Sequence, residues 1–127
     1  MYELRMTIDG DVLHAEVEGQ RSSNQAEMAA DSQSFWYDIV WECQRLGLSR
    51  VLVVARLTGW VSTAAVLSTH EYLQKIVPAS IERIAYVDLN PETVPYNRFA
   101  QELSRSGSFE VGIFDTEAAA RSWLDMG

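Results

Sequence analysis

Arg50 to Thr63, reading RVLVVARLTGWVST, constrains the fold more than any other stretch of the chain. Val51, Leu52, Val53, Val54 and Ala55 form an unbroken apolar run. A run this short and this rich in β-branched residues predicts a strand covered on both faces, because a half-exposed strand would alternate. The chain then leaves the strand between Arg56 and Trp60, at Gly59, and Ser62 or Thr63 offers a side-chain oxygen to cap a following helix. A strand, a loop and a helix start in succession mark the edge where open α/β sheets place a ligand or partner.

The flanking segments order themselves around this strand. Tyr2, Leu4, Met6 and Ile8 alternate with Glu3, Arg5 and Thr7, the period of a half-buried strand. Asp9-Gly10 is a hairpin turn signal, and Leu13, Ala15 and Val17 then alternate with His14, Glu16 and Glu18. The first 18 residues therefore predict an antiparallel hairpin with one wet face, ended by Gly19. Ser22 to Leu46 predicts a helix, with Ser22 and Gln25 as a capping box and Gly47 just past its end. Its first half is weakly apolar and holds Asp31-Ser32, so a loop or a separate short helix fits there as well. Its second half is strongly patterned: Trp36, Ile39, Val40, Cys43 and Leu46 share one stripe, with Phe35, Tyr37 and Trp41 beside or off it.

Ser62 to Ile76 predicts a second helix stopped by Pro78, and Ile81 to Val87 another strand. Asn90-Pro91 marks a loop. Pro95 suits the first turn of a third helix with Tyr96, Phe99, Ala100 and Leu103 inward and Gly107 at its end. Phe109 to Phe114 is the last strand, and Asp115 caps a final helix carrying Ala118, Ala119, Trp123 and Leu124. The order is β-β-α-β-α-β-α-β-α. Strict alternation after the hairpin requires parallel strands joined by right-handed crossovers, with helices over the sheet. The expected class is an α/β single domain spanning residues 1–127 with a mixed, mostly parallel sheet.

Composition narrows the function. A net charge of −8 opposes general binding to nucleic acid or to anionic membrane surfaces. The single cysteine, Cys43, permits no internal disulfide and points to a reducing compartment, so a cytoplasmic location is expected. The acidic, alternating N-terminus resembles neither a signal nor a transit peptide, and no apolar run approaches the ~20 residues of a membrane span. No nucleophile–base pair, Gly-rich phosphate loop or metal-ligand spacing is present. His14 and His70 are isolated, and Cys43 sits on a buried stripe as a small hydrophobe. No catalytic residue, metal site or cofactor is expected.

Three stretches together resemble a family: VLVVARLTGW at Val51 to Trp60, IERIAYVD at Ile81 to Asp88, and FDTEAAARSWL at Phe114 to Leu124. The chain resembles a stand-alone STAS domain of the SpoIIAA-like group, related in fold to bacterial anti-sigma-factor antagonists. The resemblance implies a four- to five-stranded mixed sheet with helices packed mainly on one face, and no enzyme activity. Members act as protein-interaction switches or are suggested to bind small or lipid-like ligands. The antagonists carry an Asp-Ser-Ser-Gly-like motif whose second serine is phosphorylated. The matching stretch here is Val61-Ser62-Thr63-Ala64, which lacks the aspartate and the glycine. A complete phosphoswitch is therefore not expected, and Ser62 and Thr63 remain only weak phospho-acceptor candidates beside their capping role.

The candidate ligand or partner surface has two parts. Trp36, Tyr37 and Trp41, with Phe35, are more aromatic area than one helix stripe can bury. Arg56, Trp60, Asp88, Asn90, Asn97 and Arg98 fall at or just beyond the C-terminal strand ends. The leading expectation is a non-enzymatic interaction or regulatory module working through a protein partner or a homodimer. The alternative is a carrier or sensor holding a small apolar or amphipathic ligand between the sheet and the aromatic helix.

Overall fold

The computed structural model describes residues 2–90, 93–103 and 109–125. Five strands form one sheet: β1 (Tyr2–Asp9), β2 (Val12–Gln20), β3 (Arg50–Thr58), β4 (Arg83–Asp88) and β5 (Glu110–Phe114). Four helices accompany them: α1 (Gln25–Leu46), α2 (Thr63–Ile76), α3 (Val94–Leu103) and α4 (Glu117–Asp125). Strand order in space follows strand order in sequence, with β1 antiparallel to β2 and every later pair parallel.

This order explains the layering. Each crossover from β2 to β5 advances one strand in the same direction, so crossovers of one hand leave their helices on one face. The contacts agree: α1 packs on β1 and β2, α2 on α1, and α3 on α2 and β5. No strand follows α4 among the described residues, and it covers the opposite face over β3, β4 and β5.

Register divides the side chains between two cores. The row Leu13–Val51–Ile84–Val111 and the row Ala15–Val53–Tyr86–Ile113 face α1 and α2. The row His14–Leu52–Ala85–Gly112 and the row Glu16–Val54–Val87–Phe114 face the side of α4. β3 lies in the middle of both cores, and Val51 through Ala55 are all buried. α4 lies mainly over β3, β4 and β5 and meets the hairpin near its turn, where Arg121 pairs with Asp9 at 2.6 Å; the rest of that face over β1 and β2 is ionic. There Arg5 pairs with Glu16 and Glu18, and Arg56 with Glu16. His14 is more enclosed than a wet-face residue should be: its side chain is 16% exposed, and its Nε2 lacks a hydrogen-bond partner.

Several boundaries differ from expectation for local reasons. β2 runs through Gly19 to Gln20, because Gly19 and Gln20 pair with Leu57 and Thr58. β3 likewise continues past Ala55 to Thr58, which places Arg56 within the strand. The first helix is continuous from Gln25, and its cap is Asn24, whose side chain accepts from the Glu27 N–H. Ser22 instead donates to Glu27 Oε2 at 2.7 Å. Gly47 ends this helix at φ +69, a conformation glycine adopts without strain. At α4 the capping hydroxyl is Thr116, not Asp115: its Oγ1 accepts from the Ala119 N–H at 3.2 Å. The inward residues of α4 are Ala120 and Leu124, while Ala118 and Ala119 are exposed. Phe99 of α3 is exposed. The expected stop at Gly107, and Pro91 of the Asn-Pro loop, lie outside the described residues, as does the Leu103 side chain. No helix among the described residues is long and apolar enough to cross a membrane.

Candidate functional site

The helices α1, α2 and α3 do not close completely onto the sheet. A cavity of about 150 Å3 lies between them and β3, β4 and β5, reaching Leu57 and Thr93 at the C-terminal strand edge. Its apolar wall includes Met28, Trp36, Leu73, Ile84, Val111 and Ile113. An aromatic series runs along one side. Tyr2 meets Phe35 edge-on at 5.5 Å between centroids, Phe35 lies 5.9 Å from Trp36, and Trp36 lies 6.1 Å from Tyr86. Offset and edge contacts of this kind hold rings at fixed angles. Hydroxyls tie the roof together: Ser32 and Thr69 are 2.8 Å apart, and Gln33 donates to Ser68 at 3.4 Å, joining α1 to α2.

One end of the cavity is polar. Arg21 follows β2 directly, and its N–H bonds to Thr58 O at 2.8 Å, extending the β2–β3 ladder by one rung. Its guanidinium donates to Leu57 O at 3.3 Å and Gly59 O at 3.5 Å. Gly59 turns the chain at φ +97, where a side chain would be strained and would also press on Arg21 at 3.4 Å. Arg21 Nη2 lies 3.9 Å from Asp88 Oδ2, and the two side chains are only 10% and 1% exposed. Asp88 also accepts from the Asn90 N–H at 2.9 Å and from the Thr93 hydroxyl. A carboxylate this buried is satisfied by such partners. Tyr86 lines the cavity beside them. Burial pushes its phenol well above the usual range and the Asp88 charge adds to this, while the Arg21 charge nearby pulls the other way. The hydroxyl is neutral at physiological pH.

Tyr2, Gln20, Arg21, Ser22 and Asp31 line both the cavity and an open depression that also includes Ser23 and Glu27. This is the mouth. The arrangement is a largely apolar cleft that opens at a polar mouth, the composition of a small-molecule site.

The residues expected from sequence separate into several places. Trp36 is buried and lines the cavity. Asp88 and Asn90 brace its polar end from behind, with Asn90 donating to Leu57 O at 3.4 Å. Tyr37 and Trp41 project from the outer face of α1, 52% and 53% exposed, with the Arg45 guanidinium 5.9 Å from the Trp41 ring. Phe35, expected beside the stripe, is buried against Tyr2. Arg56 is on the opposite face of the sheet, a consequence of its position inside β3, and is not part of the strand-end site. Trp60 is exposed in the loop after β3, and Arg98 is exposed on α3. The Asn97 side chain lies outside those described. Ser62 is buried and accepts from the Ala65 N–H at 3.0 Å as the α2 cap, while Thr63 is exposed.

Cys43 is buried beneath α1, where its thiol donates to Leu48 O at 3.1 Å and burial pushes its pKa up to about 11. It is a packing residue with no thiolate character at neutral pH. Among the described residues no three His, Cys, Asp or Glu side chains converge as a metal site would require.

Sequence reasoning missed Arg21, Met28 and Thr93. Arg21 was within reach: once β2 is paired in parallel with β3, Gly19 to Arg21 fall at the same edge as Leu57 to Gly59. Nothing in the local pattern of Thr93 signals its bond to Asp88. A scan against protein-family models and a search of curated proteins both found no match for this chain.

Proposed function

We propose that this protein is a non-enzymatic binding module that holds one small amphipathic molecule in the cavity beneath α1, α2 and α3. The cavity itself carries the reading. Protein interiors pack nearly as densely as organic crystals. A volume of about 150 Å3 left unfilled between helices and sheet, with a mouth to the surface, is a departure from that density. A molecule that fills the void recovers the lost contacts. Its position at the C-terminal edge of parallel strands supports the same reading. So does the N-terminal hairpin followed by alternating units, which fits membership of the SpoIIAA-like STAS group and a cytoplasmic role as carrier or sensor.

Native mass spectrometry of the purified protein tests this. The expected result is an adduct that disappears on denaturation and is absent from Ala65→Phe, which places a ring in the cavity. A bare mass for the wild type, with no thermal stabilisation by added toluene, would contradict the reading.

The exposed pair Tyr37 and Trp41 favours a second, compatible role. Amphipathic rings on a solvated helix face have the composition of interface hot spots, and they support docking of a protein partner or a second copy. Regulation by phosphate at Ser62 is disfavoured, because modifying that buried oxygen would remove the α2 cap.

A further inference from the structure

The polar end of the cavity limits the charge its ligand can carry. Arg21 is the cation there; its Nη1 is committed to Leu57 O and Gly59 O, and its Nη2 faces Asp88. Its 3.9 Å separation from Asp88 gives electrostatic balance without a direct hydrogen bond. The pair is therefore neutral as a unit. A carboxylate or phosphate head entering here would meet one arginine against three acids: Asp88 behind it, and Asp31 and Glu27 at the mouth. An ammonium head fares no better. It would lie against Arg21, and the acids able to receive it are engaged: Asp88 by Thr93 and Asn90, Glu27 by Ser22, and Asp31 by a contact within the protein. Either charge would also be drawn from water into a largely apolar wall, which is costly without a dedicated counter-ion.

Size sets the second limit. A dry apolar cavity of about 150 Å3 accommodates one benzene ring, and this cavity has that volume. A long acyl chain does not fit without displacing a helix.

Resting on the ligand-binding reading above, we infer that the cavity selects an uncharged amphipath: one ring, or a chain of similar volume, bearing a single hydroxyl or carbonyl that hydrogen-bonds to the Arg21–Tyr86 pair. The ring lies among Trp36, Leu73, Ile84 and Val111, and the oxygen points to the mouth.

A four-compound series with a constant ring isolates the head group: toluene, benzyl alcohol, benzoate and benzylamine, titrated into the full-length protein at neutral pH and followed calorimetrically. Benzyl alcohol should bind about tenfold more tightly than toluene, the weight of one hydrogen bond, and the two ions more weakly than toluene. Tyr86→Phe removes only the hydroxyl, and Arg21→Lys keeps the charge that balances Asp88. The advantage of benzyl alcohol over toluene should disappear in at least one of them. Benzoate or benzylamine binding as tightly as benzyl alcohol would overturn the selection for an uncharged head, as would an alcohol advantage that survives both substitutions. Failure of all four compounds to bind would instead overturn the ligand-binding reading on which the selection rests.

Discussion

The two faces of the sheet solve the same packing problem differently. On the side of α4 the described residues pack tightly where the helix meets β4 and β5. Small residues, Ala85, Gly112 and Ala120, let the helix approach closely, and Phe114 and Trp123 close the edge at 5.6 Å between centroids. Arg83 locks this arrangement by donating to Trp123 O at 2.8 Å while its guanidinium lies 5.1 Å from the Trp123 ring. On the other side three helices and large side chains enclose more volume than they fill. One strand, β3, supplies residues to both faces, so the difference arises from what is laid over the sheet and not from the sheet itself. A void kept on one face of an otherwise dense domain is the signature of a site.

The largest expected effect tests what the faces share. Val53→Asp and Val54→Asp place a carboxylate on opposite sides of β3, and each should cost ~4 kcal/mol or more, read as loss of cooperative thermal unfolding. If Val53→Asp alone were tolerated, the cavity side would be wet and the contrast would have another cause.

The faces should part under enlargement. A Cβ added at Gly112 would lie 2.7 Å from the Phe114 ring and 3.2 Å from Trp123, so Gly112→Ala should lose about 1–3 kcal/mol in denaturant titration. Ala65→Leu extends into the cavity and should change stability by less than about 1 kcal/mol while abolishing ligand binding. Equal costs at the two positions would erase the distinction.

How far these faces were legible from sequence depends on what each required. The double-sided burial of Val51 to Ala55 and the hairpin alternation follow from side-chain period alone, and so did the class of fold. The end of α1 was legible at Gly47 and the turn after β3 at Gly59, but Gly19 did not end β2, and helix starts were less legible where several hydroxyl or amide side chains compete. Asn24 displaced Ser22, and Thr116 displaced Asp115. The continuity of α1 through Asp31-Ser32 was not legible, because it depends on the Ser32–Thr69 and Gln33–Ser68 contacts with a distant helix. The cavity was least legible of all. Its walls come from eight of the nine elements and the segments between them, and an unfilled volume has no periodicity to read.

A smaller effect probes whether looseness is confined to the cavity. Cys43 lies on the same face but under close packing. Its folded pKa, about 11, is raised above the ordinary 9.0 by burial. The neutral thiol is therefore favoured by folding, and its contribution is fully present below pH 9 and lost as pH rises through about 11. Unfolding midpoints measured from pH 8 upward should fall through this window, and the fall should be reduced in Cys43→Ala. A thiol reagent at pH 8 should leave native Cys43 unmodified, whereas rapid modification would mean the whole face is open.

The smallest effect concerns the outer surface of α1. Tyr37→Ser/Trp41→Ser should change stability by less than about 1 kcal/mol, because both rings are half exposed. Sedimentation of this variant against the wild type reads the partner surface separately from the cavity: loss of an assembly with ligand binding intact is the expected outcome. A large loss of stability would make Trp41 a core residue.

The central claim, that one face of the sheet holds a ligand and the other does not, is tested most directly by methyl NMR. With Ile, Leu and Val methyls labelled and toluene added, shifts should appear at Val61, Val66, Leu73, Ile84, Val111 and Ile113, which line the cavity. Leu52, Val54, Val87 and Leu124, packed against or within α4, should not move. Saturable shifts confined to the first group are the result this account predicts. An unchanged spectrum, or shifts spread equally over both groups, would contradict it.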